Sequence, residues 1–172
     1  HGNFSSAATY LIVLPQPANH VTAFSVTATG YTNVQLTWVD AIGSPAPSGY
    51  LIAVERSAGT AVVPSDLTPI ANQTNLITNT TGCLNVGPGV QAADFNTMLS
   101  GETYTFYIYP YTNSGVNIDY KTDGVIPTDV TTTQVDNFVW INNSSPLEPS
   151  SFPSTTTSSG VAVVNFRFQV FD

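Results

Sequence analysis

Basic residues are almost missing from this chain: Arg56, Lys121 and Arg167 stand alone against 11 acidic residues, for a formal charge of −8. Nucleic-acid binders neutralise phosphates with clustered Lys and Arg, and three scattered cations exclude that class. The same shortage excludes adhesion to an anionic membrane surface. No apolar run approaches the roughly 18 residues of a membrane helix, so no insertion is expected. Cysteine is limited to Cys83, which rules out a disulfide within the chain. Histidine is limited to His1 at a terminus and His20. No G-x-S-x-G turn is present, and Cys83 has no basic neighbour in sequence to activate it. Neither catalysis nor a cofactor is therefore expected. Cys83 reads as a small buried hydrophobe. The chain opens at His1 with no Met and no basic-then-apolar leader, which reads as a mature product or an excised piece of something longer.

What the chain does hold is β structure. A length of 172 residues suits one large domain, or a small one with part of another. Its hydrophobic share of 42% argues against disorder. Helix signals reduce to one candidate turn at Ala92–Met98. Alternation with a period of two recurs instead. Val21–Thr29 alternates up to Gly30. Val34, Leu36 and Trp38 share one strand face, with Gln35 and Thr37 on the other. Tyr50, Ile52 and Val54 line a third strand after the Pro-rich loop Gly43–Gly49. Thr60–Val63 reads as a fourth, stopped by Pro64. The long excursion over residues 65–98 offers only Leu76–Ile77 and Gly89–Gln91 as fragments. Thr103–Tyr111 is the strongest strand: Tyr104, Phe106 and Ile108 on one side, Tyr107, Tyr109 and Tyr111 on the other. A further strand is expected from Ile118 to Ile126. Seven short strands at this spacing imply an all-β two-sheet sandwich.

Trp38 in V-Q-L-T-W, Tyr50 after a proline loop, and L-S-G-E-T-Y-T-F-Y-I from Leu99 to Ile108 resemble the fibronectin type III domain. The resemblance spans about residues 17–128. It implies an immunoglobulin-like sandwich with Trp38 as the core indole and Tyr50 among its partners. It also implies that the Tyr104 hydroxyl bonds back to the backbone at the corner that Leu99 opens. P-A-N-H-V-T-A-F-S and N-I-D-Y-K-T-D-G-V-I-P-T further resemble a subgroup found in secreted, multi-domain bacterial proteins. That implies an exported protein, extracellular or at the cell surface, whose partners include neighbouring domains of the same polypeptide. The loop Thr112–Asn117 lacks an R-G-D adhesion tripeptide.

Two features invite a site. Tyr107, Tyr109 and Tyr111 on one strand face could stack on sugar rings, unless another segment covers them. Asp119, Asp123, Asp129 and Asp136 gather late in the chain, but their spacing matches no calcium loop, and solvated turn residues are the better reading. No metal is expected. The function that follows is a non-catalytic spacer or a protein-interaction or adhesion module of a larger exported protein. The alternatives are a carbohydrate-binding module using the tyrosine face, or an accessory domain of a secreted hydrolase.

The ends fall outside the resemblance. Residues 1–16 read as an N-terminal strand and a Pro-rich connector, and residues 129–172 as additional strands opening a second, truncated domain. Ala162, Val164, Phe166, Phe168 and Val170 share one face of such a strand, and Phe138 and Trp140 lie on another. Unpaired, these strands would offer an edge to a second copy of the chain, giving a homodimer.

Overall fold

A computed structural model describes residues 13–57 and 59–135 of the chain. They belong to a unit spanning His1–Asn137. The strands expected near Tyr10, Trp140 and Phe166 lie outside the described residues.

In chain order the strands are β1 (Thr22–Ala28), β2 (Val34–Val39), β3 (Gly49–Arg56), β4 (Thr81–Val86), β5 (Ala92–Phe95), β6 (Thr103–Thr112), β7 (Asp119–Tyr120) and β8 (Thr128–Thr132). One sheet runs β1-β2-β5; the other runs β4-β3-β6-β7, with β8 also on β6. Every pairing is antiparallel. The result is a two-sheet β-sandwich.

Alternation puts the core between the sheets. Val34, Leu36 and Trp38 of β2 meet Tyr50, Ile52 and Val54 of β3, with Phe95, Tyr104, Phe106 and Ile108 completing the layer. Trp38 and Tyr50 meet edge-on at 6.0 Å, and Phe95 and Phe106 at 5.4 Å, a geometry that aromatic quadrupoles favour. Both polar handles are satisfied: Trp38 Nε1 donates to Asp40 Oδ1 at 3.2 Å, and the Tyr50 hydroxyl accepts from Ala41 N–H at 3.0 Å. A bulge in β1 explains why its apolar residues fall out of step. Ala23 takes φ 51, the register slips between Thr22 and Ser25, and both Val21 and Val26 reach the core.

Several sequence expectations need correction. The Ala92–Met98 stretch is no helical turn; its first four residues form β5, where Phe95 pairs with Val34 and Ala93 with Leu36. Pairing and burial override weak local preference there. Thr60–Val63 is not a strand, because it runs across a sheet face instead of along an edge, and the fourth strand is Thr81–Val86. Leu76–Ile77 and Gly89–Gln91 fall in turns and connections. The strand expected from Ile118 to Ile126 shrinks to β7; a turn in which Gly124 takes φ +75 follows, and the chain rejoins the sheet as β8 only at Thr128. A boundary at 128 would cut into β8, which pairs along β6 from Tyr107↔Thr128 to Thr103↔Thr132. Asp129 of this strand also accepts the Val26 N–H at 2.7 Å, closing the free edge of β1.

Candidate functional site

β6 presents Tyr107, Tyr109 and Tyr111 on the outer side of the second sheet. Leu51 and Ala53 of β3 and Cys83 of β4 lie beside them. Left bare, this face would be a stacking platform. It is covered. The β3–β4 connection and the stretch around β7 fold across it, bringing Val62, Ile70, Ile118, Tyr120 and Ile126 onto Leu51, Ala53, Cys83 and Tyr109. Tyr109 is 3% exposed and Cys83 4%. The Tyr111 ring meets Tyr120 edge-on at 5.6 Å. The Tyr107 hydroxyl donates to Glu55 Oε1 at 2.7 Å. The carbohydrate-binding alternative, which needed Tyr107, Tyr109 and Tyr111 exposed, is therefore corrected: these three rings belong to a second hydrophobic core, since so large an apolar face is stable only when covered.

The cover is tied down along its length. Gln73 and Cys83 exchange both backbone hydrogen bonds at 2.8 Å, adding a bridge to the outer edge of β4. Asn72 Oδ1 accepts from the Asn85 N–H and side-chain amide, each at 2.8 Å, and the same side chain donates to the Ile70 carbonyl at 2.8 Å. Farther on, Leu67 N–H donates to the Ile118 carbonyl and Tyr120 N–H to Asp66 Oδ1, again at 2.8 Å. Gly82 makes the crossing feasible. A β-carbon there would come within 2.6 Å of the Gln73 carbonyl and crowd Leu76 and Val54.

Burial sets the chemistry of this layer. It pushes the Cys83 thiol up to about 11, so the thiol holds its proton at neutral pH and is a poor nucleophile. Tyr109 and Tyr111 are raised by the same cause. Tyr107 is pushed up to about 12, chiefly by its hydrogen bond to the Glu55 carboxylate and then by burial. Asp119 is raised by burial, then by the charge of Asp66 beside it. Burial thus leads for Cys83, Tyr109, Tyr111 and Asp119, and the carboxylate partner leads for Tyr107.

The remaining sequence candidates are dispersed. Asp123 pairs with Lys121 at 2.8 Å, which lowers its carboxyl; Asp129 holds Val26; Asp136 lies outside the described residues. Among the described residues, no group of three or more His, Cys, Asp or Glu side chains converges as a metal site. His20 Nε2 donates to the Asp123 carbonyl at 2.7 Å. Trp38, Tyr50 and Tyr104 are buried in the first core. The Tyr104 hydroxyl accepts the Leu99 N–H at 2.9 Å across the turn in which Gly101 takes φ +70. Sequence reasoning allowed for a covered tyrosine face but did not find the segments that cover it, although one signal of a second core was present. Tyr50–Val54 contains no polar residue, the mark of a strand buried on both faces.

No protein-family model and no curated protein matches the chain. Solved structures do resemble it. The fn3 domain of human contactin 1 is 10% identical with a TM-score of 0.50, over 81% of this chain and 99% of that one. The fn3 domain of the human collagen alpha-1(XX) chain is 11% identical with a TM-score of 0.46, over 86% of this chain and 99% of that one. At 10% identity the contactin likeness establishes fold and nothing further. The fold is a fibronectin type III-like sandwich.

Proposed function

We propose that the chain is a non-catalytic spacer or interaction module of a larger exported protein, with neighbouring domains of the same polypeptide as its partners. One observation carries this reading: the backbone is strapped where it meets the sandwich at one end and again at the other. At the first end, Asn113 Oδ1 accepts the Leu14 N–H at 2.9 Å, its Nδ2 donates to the Leu14 carbonyl at 2.6 Å, and Thr112 Oγ1 donates to the Pro15 carbonyl at 2.8 Å. Pro15 and Pro17 stiffen the same stretch. At the far end, Gln134 N–H donates to the Gly30 carbonyl at 3.2 Å, and Thr133 Oγ1 donates to the Leu99 carbonyl at 2.7 Å. Fixed attachment points at opposite ends are what a spacer needs to hold its neighbours at a set distance. An accessory domain of a secreted hydrolase would be the same module beside a catalytic neighbour. The Ser-, Thr- and Asn-rich, Lys-poor composition supports an extracellular or cell-surface setting in a bacterium.

Spin labels at Val13→Cys and Gln134→Cys in the full chain test the straps, because Cys83 is too buried to take the label. A single narrow distance distribution is expected. A broad one would show the attachment points to be loose and would remove the spacer reading.

A further inference from the structure

Among the described residues, the outer edge of β4 is guarded differently from the other strand edges. Between β1 and β8 one carboxylate closes two edges. Asp129 Oδ2 accepts the Val26 N–H of β1 at 2.7 Å, and its Oδ1 accepts the Val130 N–H of β8 at 2.9 Å. β5 is four residues long and carries Asp94, and β7 is two residues long. β4 runs for six residues, Thr81–Val86, at the end of its sheet. No Asp, Glu, Lys or Arg lies between Asp66 and Asp94, and no Pro interrupts β4. Short length, charge and Pro are the usual devices against edge-to-edge pairing, and β4 has none of them.

What covers this edge is a strap, not a strand. Gln73 makes one backbone pair with Cys83, and Asn72 lends a side-chain oxygen to the Asn85 N–H. Those bonds show which groups of β4 point outward: the amides of Cys83 and Asn85, and the Cys83 carbonyl. A second β4 presents the same groups. We infer that β4 is a self-pairing edge held shut by its strap. With residues 70–74 peeled away, two copies join β4 to β4, antiparallel, about a two-fold axis at Cys83. Cys83 then meets Cys83 of the second copy in the pair that Gln73 now fills, and Thr81 of each copy faces Asn85 of the other. A run of strand pairs replaces the strap's single one, and the two-fold axis lets one patch serve both copies. The charge of −8 is carried elsewhere, because neither β4 nor residues 67–80 bears any.

The strap is loosened in the full chain by Asn72→Ala with Gln73→Pro, which removes the bond to Asn85 and the N–H given to Cys83. Light scattering should find this variant at twice the mass of the unmodified chain. A short bis-maleimide should join Cys83 to Cys83, because the Cα atoms of such a pair lie about 5.5 Å apart. Adding Asn85→Pro strips β4 of an outward amide that β3 does not use, so the mass should return to that of the unmodified chain. A loosened variant that keeps its native circular dichroism without doubling its mass overturns the inference. So does doubling that survives Asn85→Pro, the mark of apolar surface bared by the strap, or doubled chains that do not join at Cys83. If the loosened variant does not fold, the unmodified chain decides, at urea concentrations that keep the sheet signal native. Joining at Cys83 that rises with protein concentration and is lost in Asn85→Pro supports the self-pairing edge. Single-ended labelling alone, or joining that persists in Asn85→Pro, overturns it.

Discussion

The two cores use similar side chains and are enclosed differently. The first lies between two sheets, so each of its walls is a hydrogen-bonded ladder, and Trp38, Tyr50 and Phe106 project from strands on both sides. The second has a ladder on one side only; its other wall is the β3–β4 connection and the stretch around β7. Moving a wall of the first core means breaking strand pairing across a sheet. Moving the cover of the second means breaking a few local bonds at Gln73, Asn85, Leu67 and Asp66. Elements held that way open below the free energy of global unfolding. The difference also explains the missing platform: three tyrosines on one strand face are a binding surface only where nothing crosses the sheet.

The largest effect expected is on the fold itself. Ending the chain at Thr128 removes β8 and the Asp129 bond to β1, so the product should show no cooperative unfolding by circular dichroism. A cooperative melt would return the sandwich boundary to 128. Next comes Trp38→Ala, which opens a cavity between two ladders and should cost about 3–5 kcal/mol in denaturant unfolding. Tyr109→Ala deletes a comparably buried ring from the second core, where the cover can settle inward, so about 2 kcal/mol is expected. Equal losses from the two substitutions would erase the contrast between the cores. Tyr104→Phe keeps the ring and loses the bond to Leu99, at about 1 kcal/mol.

The subtlest expectation concerns alkaline pH. Tyr50, raised by burial, and Tyr107, raised by its bond to Glu55, both titrate near 12 against an ordinary 10.0. A folded-state value above the unfolded one means that the stability these groups add is complete below the unfolded value and is lost as pH climbs through the folded one. Stability should therefore fall between about pH 10 and pH 12. Glu55→Gln should bring one tyrosine absorbance transition back toward its ordinary range and leave the Tyr50 transition in place.

The first core was readable because period-two alternation marks one buried face, as at Val34, Leu36 and Trp38, and because Leu99, Gly101 and Tyr104 carry a turn pattern with a mechanical reason. The second core was harder. Its wall is a connection, and connections advertise no period. Val62, Ile70 and Ile118 are single apolar residues among Thr, Pro and Asn, and nothing in their spacing says which face they will cover. The broken last strand was hidden for a related reason: Ile118–Ile126 alternates well enough, but Gly124 turns it out of the sheet and the ladder resumes only after Pro127.

Labelling of Cys83 by a maleimide, followed across a urea series beside far-ultraviolet circular dichroism, tests most directly whether the second core is a sealed layer with its own opening. In native buffer Cys83 should stay unlabelled over a time that labels the unfolded chain completely. Labelling should then begin at urea concentrations where the sheet signal is still native. Prompt labelling in native buffer would mean that the tyrosine face is not covered, and labelling that appears only together with loss of the sheet signal would mean that the two cores are one.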